Sequence, residues 1–171
     1  LRRFLKFFQG LLDETDLEST RISGELMEFY HSARETLLHF SPLLSGKIND
    51  RDRKAVADRL GAAASDYRQQ IYQNGFWGKK RSISLAGLRA FVQVCLDFTE
   101  HSIRANRRPD HLYHAYNLMS VGDGGIAVAH LGEMLEGQVA VLSAGYLRSE
   151  EALEVLDGLK NSALFRDDQY S

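Results

Sequence analysis

Residues 22–44 read ISGELMEFYHSARETLLHFSPLL. Ile22, Leu26, Phe29, Ala33, Leu37, Phe40 and Leu44 recur at three- and four-residue steps, the spacing of one apolar helix face. Glu25, Glu28, Ser32, Glu35 and His39 take the opposite face, so the stretch predicts an amphipathic helix lying on a core. Pro42 ends it near Phe40, because proline lacks the amide donor and crowds the preceding turn. Residues 13–20, just before it, are polar and read as a turn.

The same spacing recurs in both directions. Residues 1–12 are helical in pattern, and Asn49 or Asp50 caps a third helix carrying Val56, Leu60, Ala63, Tyr67 and Ile71. Asn74-Gly75 stops that helix. Another starts after Ser82 or Ser84 and bears Leu88, Val92, Cys95, Thr99 and Ile103. Residues 126–143 read as a helix despite Gly132 and Gly137, with Gly145 as its stop. Ser149 caps a last one, with Leu153, Leu156 and Leu159 as core. The i,i+4 spacing pairs Asp50 with Lys54, Asp97 with His101 and Glu100 with Arg104. The expectation is a single all-α domain over residues 1–171: six or seven antiparallel helices in hairpins, with one long central loop.

Composition narrows the functional classes. A formal net charge of −2 gives no global field that would draw the chain to nucleic acid or an acidic membrane. No apolar run approaches the roughly 20 residues that span a bilayer. Cys95 is the only cysteine, so an intramolecular disulfide is excluded, and a reducing, cytoplasmic setting is the expectation. In the first helix Phe4 and Phe8 share a face while Phe7 sits about 100° from Phe8. One core cannot cover all three. The helix is therefore expected to be covered on two sides, by its own domain and by other domains of the same polypeptide or a second copy. Leu1 and the ending at residues 167–171 point to a piece cut from a longer polypeptide.

Polar side chains concentrate between residues 100 and 117, EHSIRANRRPDHLYHAYN. Tyr113 and Tyr116 offer flat apolar faces with polar tips, the chemistry that stacks on a sugar ring. His114 and Asn117 can bond its hydroxyls, and Arg107 can grip a phosphate or carboxylate in a two-point fork. The plainer reading makes the tyrosines core and the arginines a solvated helix end. His111, His114, His130 and Glu133 could ligate a metal only if the loop folded back, and they match no named motif; no metal or cofactor is assigned. Glu133 or Glu136 with Asp110 or Asp123 could form a carboxylate pair for glycoside cleavage, but solvated glutamates are the commoner case. No catalytic residue is assigned.

Two segments resemble a known group. SIRANRRPDHLYHAYNLM (residues 102–119) and EMLEGQVAVLSAGYLRSEEALEVLDGL (residues 133–159) are similar to parts of large bacterial proteins related to cellobiose phosphorylases and other α/α-toroid glycoside-processing enzymes. The resemblance implies a helical hairpin domain contributing to sugar recognition, with the central loop near the sugar. A complete toroid needs about twelve helices, and at about 1.5 Å per residue this chain holds six or seven. The chain would then be part of a toroid or a neighbouring domain. The alternative is a non-catalytic helical interaction or assembly module.

Overall fold

The apolar period of residues 22–44 folds as a helix only from Gly24 onward. Ile22 belongs to a strand. In the computed structural model, which describes residues 1–168, the order is α1 (Arg2–Asp13), β1 (Ser19–Ser23), α2 (Gly24–Phe40), a tight helical turn (Ser41–Ser45), α3 (Asp50–Asn74), β2 (Lys80–Ser84), α4 (Leu85–Ala105), β3 (Leu118–Gly122), β4 (Gly125–Ala129), α5 (Leu135–Ser143) and α6 (Ser149–Lys160). Helix accounts for 60% of the chain and strand for 13%, which makes the fold mixed α/β and corrects the all-α expectation. The strands are five residues long; β1, β2 and β3 are largely exposed and carry no alternating apolar pattern, and β4, with Ile126 and Val128 turned inward, is too short to tell from a helical turn. β4 takes up the front of the helix expected over residues 126–143, which begins only at Leu135.

Two antiparallel ribbons organise the helices. In the first, β1 and β2 pair Ser19 with Ser84 and Ser23 with Lys80. Each strand runs straight into a helix through a serine: Ser23 Oγ accepts the Leu26 amide at 3.3 Å, and Ser84 Oγ accepts the Gly87 amide at 3.1 Å. Such a cap satisfies one of the free amides of the first turn. In the second ribbon β3 and β4 are joined by Asp123-Gly124. It seats on the start of α3, where a Cβ on Gly125 would lie 2.8 Å from the Asp50 carbonyl carbon. Arg53 holds the junction, donating to the Ile126 carbonyl at 2.5 Å and the Ile48 carbonyl at 3.0 Å.

The core lies in three patches. α1 packs on α4 through Leu5, Leu12, Leu85, Val92 and Leu96. Met27, Tyr30 and Ile83 join α2 to β2, with Tyr30 edge-on to Phe91 at 5.2 Å. Leu112, Tyr113, Val141 and Val155 tie the central segment to α5 and α6. Several ends fall where the sequence placed them: α2 stops at Phe40 before Pro42, Asn49 Oδ1 caps α3 through the Asp52 amide at 2.8 Å, and Gly145 (φ 64°) follows α5. The ion pairs do not. Asp50 pairs with Arg53, Lys54 with Asp58, and Glu100 with Arg2 of α1 at 2.8 Å, while His101 bonds the Gly46 carbonyl. Tertiary partners outcompete weak i,i+4 pairs. Arg148 rather than Ser149 caps α6, its amide donating to Glu151.

Candidate functional site

The segment after α4 is a plug rather than an open loop. Arg107 and Tyr113 form an isolated antiparallel bridge; the Arg108 amide donates to the Leu112 carbonyl at 2.8 Å and the His114 amide to the Asn106 carbonyl at 2.9 Å. His111 turns the bridge with φ 66°. Leu112 is fully buried, and Gln138 of α5, also fully buried, clamps the next residue: its Oε1 accepts the Tyr113 amide and its Nε2 donates to the Tyr113 carbonyl, both at 2.8 Å. A buried backbone needs such partners. Gly137 permits the approach, since a Cβ there would sit 3.0 Å from the Tyr113 oxygen. Gly158 does the same from α6, where a Cβ would meet the Asp110 carbonyl at 2.7 Å.

This geometry separates the residues expected to form one site. The Tyr113 side is core, with 5% exposure, and burial pushes its phenol up from the ordinary value. Tyr116 is 65% exposed on a left-handed backbone (φ 48°). The His114 ring stacks on His130, centroids 3.9 Å apart and nearly parallel. Its Nδ1 is buried without a hydrogen-bond partner; desolvation, aided by His130, holds its pKa below the usual histidine value. Asn117 bridges inward, donating to Asn106 Oδ1 at 2.7 Å and meeting His130 Nδ1 at 2.8 Å. Arg107 is engaged by Glu154 at 2.5 Å and by His111 Nδ1 at 3.1 Å.

Arg108 organises the acids. It grips Asp110 through Nε and Nη2 (3.0 and 2.7 Å) and reaches Glu133 at 2.8 Å. The Arg108 hydrogen bond lowers the Asp110 pKa, so this carboxyl is held charged, the wrong state for a general acid at neutral pH. Beside it opens a cleft of about 500 Å³ whose walls include Asp110, His111, Glu133, Glu154, Asp157 and Asn161. The cleft thus borders the central segment, but Tyr113, His114, Tyr116 and Asn117 do not line it. Among the described residues no group of three His, Cys, Asp or Glu side chains is placed to hold a metal ion. The four groups weighed for that role do not converge on one point: His111 turns to Glu154, Glu133 to Arg108, and His114 and His130 stack ring on ring.

Sequence reasoning missed Gln138, the residue that fixes the segment. A glutamine directly before the apolar run V-A-V-L of residues 139–142, one helical turn from Val141 and Leu142, was the available signal, since a polar side chain on a buried face must carry partners. No family model matches the chain, and no curated protein matches it either.

Proposed function

We propose that this chain is a non-catalytic helical assembly module that joins a partner through α1. One observation carries the reading: Phe4 and Phe7 are 62% and 64% exposed, flanked by exposed Leu1 and Leu11, on a helix whose other side is already seated on α4 through Leu5 and Leu12. Leu1, Phe4, Phe7 and Leu11 fall at the three- and four-residue steps of a helix–helix seam, while Phe8, on which Phe4 stacks at 6.1 Å, packs against the α1–α4 core. A contiguous apolar face of this kind marks an interaction surface. The central segment, by contrast, spends Arg107, Tyr113, His114 and Asn117 on internal partners. Among the described residues no helix is long and apolar enough to cross a membrane, and the lone Cys95 suits a cytoplasmic setting. Light scattering over a range of concentrations is the test. The chain alone is expected to self-associate through α1, and a Phe4→Ser/Phe7→Ser variant to become monomeric with an unchanged melt. A strict monomer whose outer α1 amides exchange freely with solvent would overturn the reading.

A second reading, a carbohydrate-contacting domain of a bacterial glycoside-processing polypeptide, is favoured by the cleft beside Asp110 and His111. Its carboxylates and the Asn161 amide are groups that bond sugar hydroxyls, and Arg107 and Arg108 hold three of the acids in place. The cleft has no tyrosine or tryptophan among its lining residues to stack on a sugar ring. Calorimetric titration with neutral disaccharides tests it: binding lost in Asn161→Ala supports it, and no heat from the parent protein retires it.

A further inference from the structure

Another cavity lies far in sequence from the central segment, between α2 and α3. It holds about 150 Å³, about five times the share of one liquid water, and is bounded by Glu25, Phe29, Asp66, Tyr67 and Trp77 with Ser32 at its side. Glu25 is 2% exposed. One of its oxygens accepts the Trp77 amide, while Oε2 is buried and bonds nothing. The Trp77 hydrogen bond lowers the Glu25 pKa, so the group is an anion with half its acceptor capacity unmet. A buried charge in that state is rare and calls for a counterpart.

The walls say which counterpart. Phe29 and Tyr67 lie 5.5 Å apart, and the indole of Trp77 covers Gly24, where a Cβ would meet ring carbon Cε3 at 3.4 Å. Aromatic faces attract cations. Glu28 is paired with Arg81, Asp66 has no ion-pair partner among the described residues, and no Lys, Arg or His lines the slot. A hard metal ion wants six or more oxygens gathered around it, and among the described residues no three carboxylates are placed to hold one. We infer that this slot binds an organic cation bearing N–H donors, an alkylammonium or guanidinium head, with Glu25 Oε2 as its hydrogen-bond acceptor and the aromatic rings as its walls. A quaternary ammonium would satisfy the rings and leave the oxygen unpaired.

Trp77 is the only tryptophan, so its emission reports on the slot directly. The protein is titrated with propylammonium, methylguanidinium and tetramethylammonium chlorides at constant ionic strength. The expected result is a saturable emission change with one or both N–H donors and at least tenfold weaker binding of tetramethylammonium; which donor binds tighter separates the two head groups. Glu25→Gln should weaken the tighter ligand at least tenfold, and if that variant does not fold, amide NMR shifts in the parent protein should move at Trp77, Ser32 and Tyr67 as the ligand is added. Equal, unsaturable responses to all three salts would overturn the inference. So would binding that survives Glu25→Gln unchanged, tetramethylammonium binding as tightly as the donors, or shifts scattered away from the slot.

Discussion

Replacing Gln138 by leucine tests the account of the central segment most sharply. The side chains are of similar size, so packing is roughly kept while three hydrogen bonds go: to the Tyr113 amide, the Tyr113 carbonyl and the Met134 carbonyl. The Tyr113 groups are left buried and unpaired, at about 1–3 kcal/mol each, or roughly 4 kcal/mol together. With a urea slope of roughly 2–3 kcal/mol/M, the unfolding midpoint should fall by about 1.5–2 M. The melting temperature should drop by roughly 8–16 °C for a domain of this size. Gln138→Glu sharpens the test, because a carboxylate can accept the Tyr113 amide but cannot donate to its carbonyl. Burial raises that carboxyl above the ordinary glutamate value, so the variant's deficit should shrink as the pH falls through the raised value and level off below about 4.3. Urea titration followed by circular dichroism reads both variants, and hydrogen exchange at the Tyr113 amide reads the bond itself. A Gln138→Leu midpoint within about 0.3 M of the parent, with that amide still protected, would refute the reasoning.

Three further outcomes are expected. Tyr113→Ala should cost roughly 3–5 kcal/mol of stability, the range for deleting a buried aromatic, whereas Tyr116→Gly should be neutral or stabilising because Tyr116 is exposed and glycine relieves its positive φ; urea midpoints that rank the pair the other way would contradict the assignment of core and surface. The Cys95 thiol, pushed up to about 11 by burial, should resist a disulfide reagent at pH 8 in the folded protein and react once denatured; rapid labelling of the native state would count against its place in the α1–α4 core. His114 is held below the ordinary histidine value, so the unfolded chain takes the proton first: its contribution is present above about pH 6.5 and is lost as pH falls toward the folded value. The parent should therefore lose stability between pH 7.5 and 5 relative to His114→Phe, and a pH-independent difference between the two would dismiss the shift.

What could be read from the sequence followed the strength of the periodic signal. The helices of residues 24–40, 50–74 and 85–105 show three- and four-residue apolar steps over several turns, and their punctuation at Pro42, Asn74-Gly75 and Ser84 is local chemistry. Strands such as Ser-Thr-Arg-Ile-Ser bury too little to leave a pattern, and β1 finds its partner sixty residues downstream. The flanks of the Asp123-Gly124 turn, Leu-Met-Ser-Val and Ile-Ala-Val-Ala, fall in the expected central loop and in the expected helix of residues 126–143. Periodicity cannot separate a short apolar strand from a buried helical turn. The central segment was legible as an unusual concentration of side chains but not in its arrangement. Which of Tyr113 and Tyr116 turns inward depends on Gln138, Gly137 and Gly158, all more than twenty residues away.

The β1–β2 ribbon has a consequence for how this chain tolerates change. It fastens the chain on either side of one long excursion, and the Gly24 amide meets the Lys79 carbonyl at 2.9 Å, so the excursion leaves and returns at nearly one point. Everything from Gly24 to Lys79, including the Glu25 slot and its aromatic walls, is held by that clasp and pinned again at its far tip, where β3–β4 seats on Asp50, Arg53 donates to the Ile126 carbonyl and His101 bonds the Gly46 carbonyl. Loop length by itself is cheap to change, because an eightfold change alters the closure cost by only about 2 kcal/mol. The tip contacts are what limit the exchange: another hairpin can replace the α2–α3 arm only if it offers β4 and α4 the same partners. A chimera built at Ser23 and Lys80 would carry the slot to another two-stranded clasp but leave Phe91 without Tyr30 and the Ile126 carbonyl without Arg53.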